Sequence, residues 1–355
     1  MIAPGARPVV LNPAPGVPLY GPSGASAHVR AIVRALAPAT VYTARTVDRR
    51  GEVERVSVPV VEVGVPGWPS WLDTYRDYTE VIAARRIARA AIADPPTLLW
   101  ERHSLYSDAG WKVHAATGAP WILEVNAPLA EERLRYERLR RPDHARAWER
   151  DVVAAAPRVI AVSAWLADWA RALGARDVRH VANGVDPGSG DRAGARDALA
   201  LEGSFVLGFL GSGRPWHGVG RLAELLDAIP DAVGLVVGEA RVEHPRARHV
   251  GVVTEARARD LVAAMDVGLA PYGRDAPPWF CPLKVLAYRA QGTPVVAADV
   301  GDTSSLVGAG GTVLPTWNLD DAVDACRVWR GRRAPPWVRG WDAVVREALG
   351  EYDGA

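Results

Sequence analysis

Lysine is almost missing from this 355-residue chain: Lys112 and Lys284 are the only two, and the other forty basic residues are arginines. Cysteine is as scarce. Cys281 and Cys326 alone exclude a disulfide framework and suit a reducing compartment. The formal net charge is only +1, so no basic excess points to nucleic acid. No apolar run approaches a membrane span, and the opening MIAPGARPVVLNPAPG lacks a signal peptide's unbroken apolar stretch. These absences lead us to expect a soluble, cytoplasmic protein. His103, His114, His144 and His180 are scattered without metal-ligand spacing, and no cysteine cluster accompanies them, so no metal site is expected. A G-x-S-x-G elbow, a Rossmann GxGxxG and a Walker loop are all missing.

Short apolar runs alternate with helical patterns from one end to the other. RPVVLN, TVYTAR, TLLW, PWILEVN and RVIAVS read as strands in the first half, and FVLGFLGS, VGLVVGE, VGLAPY, TPVVAAD and GTVLP in the second. Helical patterns such as SAHVRAIVRALA, TEVIAARRIARAAIA and PLKVLAYRAQ separate them, and LAEERLRYERLRRPDHARAWERDVVAAA reads as one long helix. Such alternation implies parallel sheets covered by helices on both faces. A Gly-, Asp- and Arg-rich seam at 181–204 divides the halves. We therefore expect an α/β chain of two Rossmann-like domains, residues 1–186 and 203–334, facing each other across a cleft. Pro335-Pro336 separates a last helix, about 337–355, which is expected to pack back on the first domain.

Ligands of open α/β sheets sit beyond the carboxyl ends of the strands, so the loops there are the candidates. LYGPSGASAHVR offers Gly21 and Gly24 before a helix N-terminus, where backbone N–H groups suit a phosphate. An ordinary glycine-rich connection explains that loop equally well. FLGSGRPWHGVG places Arg214 and His217 around a Pro-Trp step, two potential cations above a strand end. In WFCPLKVLAYRAQG, Lys284 falls in the first turn of a helix, among Phe280, Pro282 and Leu283. A cation there opposes the helix dipole, which makes sense if an anion binds between them. Glu101, Arg102 and His103 follow one strand, and Glu124 and Asn126 another. Such polar residues either line a site or form buried pairs, Glu124 with Arg102 for example. Trp68, Trp71, Tyr75 and Tyr78 form an aromatic stretch suited to a sugar ring or to packing. The arginine-rich RLRYERLRR reads better as a solvated face than as a surface for anionic lipid.

Taken in order, PLYGPSGASAHVRAIVRAL, ERHSLYSDAG, ILEVNAPLAEE, VIAVSAWLADW, VANGVD, FLGSGRPWHG, DVGLAPY and PLKVLAYRAQGTPVVA resemble the retaining, family-four type of GT-B glycosyltransferase. The resemblance covers almost the whole chain. It implies a nucleotide-sugar donor, most often a UDP-sugar, held mainly by the second domain, and a small-molecule or glycan acceptor held mainly by the first. It also implies transfer with retained anomeric configuration and no metal or other cofactor. Carried onto this chain, Gly24, Pro282, Leu283, Lys284, Arg214 and His217 would bind the donor. Arg214, Lys284 and Asn126 would be catalytic, Asn126 falling near the place of a histidine in other members. Glu101, His103, Glu124 and Trp71 would meet the acceptor. One departure stands out. Relatives carry a ribose-binding glutamate where this chain has Ala287, and the other member of an acidic pair is replaced by Trp279. Two other readings follow from that: a catalytically silent homologue that binds a nucleotide sugar or a partner, and an enzyme joining a cyclitol or amine.

Overall fold

The computed structural model describes residues 5–47, 53–66 and 76–350. In chain order the strands of the first sheet are β1 (Pro8–Asn12), β2 (Thr40–Thr43), β3 (Val60–Glu62), β4 (Leu98–Arg102), β5 (Trp121–Val125), β6 (Arg158–Ala161) and β7 (Val178–His180). Those of the second are β8 (Phe205–Leu210), β9 (Ala232–Val237), β10 (Ala247–Gly251), β11 (Val267–Ala270), β12 (Val295–Ala298) and β13 (Gly311–Leu314). The orders are β3-β2-β1-β4-β5-β6-β7 and β10-β9-β8-β11-β12-β13, with every pairing parallel. In each sheet the order reverses beside the first strand, which opens a crevice beyond β1 and beyond β8. Central strands such as β1, β5 and β12 are buried along their whole length, which explains their continuous apolar runs.

The helices are α1 (Gly24–Ala35), α2 (Arg76–Ala93), α3 (Ala109–Thr117), α4 (Leu129–Tyr136), α5 (Pro142–Ala155), α6 (Ala164–Ala172) and α7 (Arg192–Ala198), followed by α8 (Arg221–Ala228), α9 (Glu255–Ala264), α10 (Leu283–Ala290), α11 (Thr303–Val307), α12 (Leu319–Val328) and α13 (Trp341–Leu349). None of the described helices is long and apolar enough to cross a membrane.

The expected long helix is two. It breaks after Tyr136 and restarts with Pro142 at the first position of α5, where its missing N–H costs nothing. The seam also contains structure. Helix α7 buries Ala195 and ties Arg192 and Arg196 to Asp266, so this part of the seam packs on the second sheet's side of the molecule.

Helix α13 returns to the first domain. Val344, Val345, Ala348 and Leu349 join Val29, Ile32 and Val33 of α1 in one apolar cluster. Its last carbonyls, Ala348 O and Leu349 O, accept hydrogen bonds from the buried Arg158 guanidinium at 3.2 and 2.5 Å. Those carbonyls lack helical partners, so an arginine there satisfies them and suits the dipole.

Candidate active site

The two sheets present their carboxyl ends to a shared cavity of about 470 Å³. Helix α1 starts at its edge with Ser23 as N-cap, whose Oγ accepts from Ser26 N at 3.1 Å. Helix α10 starts on the opposite side. A Cβ built on Gly24 would meet Leu283 Cδ1 at 3.5 Å, so the first residues of the two helices nearly touch. Two sets of unpaired backbone N–H groups, and two positive dipole ends, therefore converge on one place.

Lys284 is the second residue of α10 and is buried, with no hydrogen-bond partner for its Nζ among the described residues. The ammonium lies 3.9 Å from the Phe209 ring centroid and 5.5 Å from that of Tyr272. Gly211, at the end of β8, has a φ of +140°, and a Cβ there would stand 3.5 Å from Lys284 Nζ. Glycine thus serves the loop geometry and leaves the ammonium uncovered. Burial lowers the Lys284 pKa to about 7.

His217 also lines the cavity, but as a neutral ring. Burial first, then the charges of Lys284 and Arg214, push its pKa down to about 3. This corrects the expectation of a second cation. The Nδ1 atom accepts from Arg214 N at 3.2 Å, so the remaining ring proton sits on Nε2, as a neutral donor. Arg214 itself is exposed at the rim, its guanidinium 5.9 Å from the Trp216 ring, and is not part of the cavity wall.

Gly24, Pro282, Leu283, Lys284, His217 and Asn126 are all brought to the cavity. Asn126, just past β5, keeps a buried Nδ2 with no hydrogen-bond partner among the described residues. Ala287 lines the cavity one turn beyond Leu283, with only a methyl group to offer.

The three polar strand-end residues expected to meet an acceptor are instead committed to the interior. Glu101 accepts from Ser107 Oγ at 2.8 Å and from Gly110 N at 3.1 Å, holding the start of α3. Burial raises its pKa to about 7, against the lowering effect of those bonds. His103 Nε2 meets Glu149 Oε1 at 3.0 Å, while the same carboxylate accepts from Leu129 N at 2.7 Å. Glu124 contacts His28 Nε2 at 2.6 Å and accepts from Trp100 Nε1 at 3.2 Å. Its principal partner is His28, with Arg102 contributing charge only. None of the three lines the cavity. Each points into a helix or a neighbouring strand rather than out of the crevice. Trp71 lies outside the described residues, as do Trp68 and Tyr75.

Three cavity residues carried no sequence signal of their own. His28 faces the cavity from α1 with its ring 4.8 Å from that of Trp341, so the returning α13 closes one wall. Glu132, in the first turn of α4, is the third. Its carboxyl pKa is raised by burial, against the lowering effect of the nearby Trp279 indole and of the charges of Arg214 and Arg102. Among the described residues, no group of three or more His, Cys, Asp or Glu is placed to hold a metal ion.

Residues 22–189 match the model of Glycosyltransferase Family 4. Among curated proteins, none matches the sequence significantly. Among solved structures, sucrose-phosphate synthase from Thermosynechococcus elongatus is similar with a TM-score of 0.70, at 18% identity over 97% of this chain and 94% of that one. HepE of Anabaena, solved with UDP and glucose, is similar with a TM-score of 0.67, at 17% identity over 98% and 100%. WaaG, a glycosyltransferase involved in lipopolysaccharide biosynthesis, gives 0.63, at 12% identity over 98% and 94%. The structural likenesses carry the two-domain fold along nearly the whole chain, and the family match lies on the α1–α6 half that forms one wall of the cavity. Residues 22–189 are thus similar to Glycosyltransferase Family 4, and the chain along nearly its whole length has the GT-B fold of two facing α/β domains.

Proposed function

We propose that the cleft binds a nucleotide sugar, a UDP-sugar as donor, and transfers the sugar to an acceptor with retained anomeric configuration and without a bound metal. The observation that carries this reading is Lys284: a buried ammonium with no acceptor among the described residues, placed where two helix N-termini meet. Burying a charge without a partner is costly, and an anion bound there relieves the cost. A diphosphate presents the right charge and several acceptor oxygens. The likeness to a structure solved with UDP-glucose supports the choice of base.

As the bond to the anomeric carbon weakens, charge gathers on the departing diphosphate. The Lys284 ammonium, the His217 Nε2–H and the first amides of α1 and α10 are aimed to stabilise it. The departing phosphate takes the proton of the incoming hydroxyl on the same face of the sugar, which retains the configuration. The protein positions the reactants and excludes water, so no separate base is required. Asn126 offers an unused N–H to a sugar or acceptor oxygen. Arg214 acts from the rim, through its charge. Both cysteines are free and buried, which suits a cytoplasmic enzyme.

The test is a thermal-shift panel with UDP, GDP, dTDP and ADP, first without metal and then with magnesium. NMR of the product's anomeric proton then follows once an acceptor is found. A metal-independent shift with UDP above the others is expected. No shift with any nucleotide would overturn the donor reading and favour the silent homologue, for which Ala287 is the motivating residue.

A further inference from the structure

The cavity wall carries a carboxylate that the mechanism above does not use. Glu132 stands in the first turn of α4, lines the cavity, and lies beside the indole of Trp279. The two residues come from different domains, and both sides of the contact are fixed. Trp279 O accepts from Ser163 Oγ at 2.8 Å, and the Trp279 ring lies 5.5 Å from that of Trp165 on α6. Arg135, one turn along α4 from Glu132, donates to Asp275 O at 2.6 Å in the segment that leads to Trp279.

A carboxylate accepts about four hydrogen bonds. It also repels phosphate, so Glu132 is unsuited to hold the diphosphate itself. It needs hydrogen-bond donors, and Asn126, on the loop between β5 and α4, has an N–H that needs an acceptor. A hydroxyl group is both at once. Trp279 lies on the segment that leads into α10, five residues before Lys284, and Glu132, Asn126, Trp279 and Lys284 all line the same cavity. The part of a nucleotide sugar next to its diphosphate is the sugar.

We propose that Glu132, on the cavity wall with Asn126 and beside Trp279 of the other domain, binds hydroxyls of the transferred sugar and sets which sugar is accepted. This rests on the nucleotide-sugar reading of the cleft. It makes Glu132 a specificity residue, supplied by the first domain to a donor held mainly by the second.

The experiment is calorimetry on the full chain with UDP, UDP-glucose, UDP-galactose and UDP-N-acetylglucosamine, for the wild type, Glu132→Ala, Glu132→Gln and Trp279→Phe. Circular dichroism and Tm establish that each variant is folded. The readout is the ratio of sugar-nucleotide to UDP affinity, for the sugar that the wild type prefers. Glu132→Ala is expected to lower that ratio at least fivefold while UDP affinity stays within twofold. Glu132→Gln, which keeps one acceptor oxygen, and Trp279→Phe, which removes the neighbouring N–H together with part of the ring, are expected to lower it less. An unchanged ratio in folded Glu132→Ala overturns the inference and leaves the nucleotide reading standing. A wild type that binds UDP no better than buffer overturns that reading, and the inference with it.

Discussion

Arg30 of α1 and Glu255, the first residue of α9, form an ion pair that ties the two domains together at the edge of the cleft, with Arg30 Nε donating to Glu255 Oε1 at 3.0 Å. The same guanidinium donates to Leu19 O and Gly21 O, each at 2.9 Å, so it also holds the loop that leads to Gly24. Burial raises the Glu255 pKa, but the hydrogen bond and charge of Arg30 outweigh it and hold the carboxyl below its ordinary value. Stability from this pair is therefore present above the ordinary carboxylate range and lost as pH falls through the lower folded value. Glu255→Gln is expected to cost about 1.5–3 kcal/mol, the worth of a charged hydrogen bond. Thermal unfolding should show it. A double-mutant cycle with Arg30→Met should show that the two losses do not add.

Lys284 predicts a pH dependence of nucleotide binding. The empty protein holds the amine with a pKa near 7, whereas the unfolded chain holds it near 10.5. Between these values the unfolded state binds more protons, so the empty protein gains stability as pH rises from about 7 to about 10.5. Diphosphate binding favours the ammonium. Below about pH 7 the proton is already present, and above it binding must take one up. Affinity for UDP should fall by up to about tenfold per pH unit above 7, with proton uptake visible when calorimetry is repeated in buffers of different ionisation enthalpy. Lys284→Met should lose that pH dependence and most of the affinity, yet unfold at a higher temperature near pH 7, because it removes a buried charge without a partner. A folded Lys284→Met that binds UDP normally would sink the phosphate role.

The central strands were legible because burial on both faces demands a continuous apolar run, as in VVLN of β1 and VVAA of β12. The strands that left no such run, β3, β7 and β10, lie at sheet edges and are half-buried or exposed. An edge strand owes its pairing to the neighbour's backbone, and its side chains say little. In the site, Lys284 was legible because a lysine at a helix start contradicts the dipole. Glu101, His103 and Glu124 misled because a polar residue at a strand end looks the same whether it points out of the crevice or under the next helix. Glu132 and His28 were hidden for a related reason: each is an ordinary helix residue, and only the packing of the second domain and of α13 against them makes a wall.

Glu101 gives a signal of opposite sign to Glu255. Its folded pKa is raised to about 7, so between about 4.5 and 7 the folded state binds more protons than the unfolded one. Stability on this account is highest below the unfolded value and declines as pH rises through 7. Glu101→Gln is expected to flatten that decline, measured as Tm against pH, because a glutamine stays neutral and the Ser107 hydroxyl can turn to pair with it. Nucleotide affinity should not change, since Glu101 does not line the cavity.

Glu124 is expected to be structural rather than acceptor-binding. Burial works against its charge, but the His28 ring, with Arg102 and Trp100, holds its pKa below the ordinary value. Its contribution is therefore kept above the unfolded value and lost as pH falls through the folded one. Glu124→Ala would leave the His28 Nε2 and the Trp100 indole without their acceptor. Breaking a buried pair of this kind costs about 3–5 kcal/mol, and Tm should drop by about 2–4 °C per kcal/mol for a domain of this size. UDP affinity in the folded variant should remain near the wild-type value.

Ala287 tests the donor site by gain rather than loss. It lines the cavity on the same helix as Lys284, one turn further from the anion site, at the place where the resemblance puts a ribose-binding carboxylate. With UDP bound as proposed, the ribose hydroxyls would meet only its methyl group. Ala287→Glu would supply an acceptor worth about 1.5–3 kcal/mol, or roughly tenfold to a hundredfold in affinity. The effect should be larger for ribonucleotides: UDP should tighten, whereas dTDP, which lacks the 2′-hydroxyl but keeps the 3′-hydroxyl, should gain less. Equal gain for both, or none for either in a folded variant, would place the ribose elsewhere in the cleft. The same variant should carry a faster hydrolysis of UDP-sugar at subsaturating donor, because the added bond acts on binding and leaves Lys284 and His217 to act on the departing diphosphate.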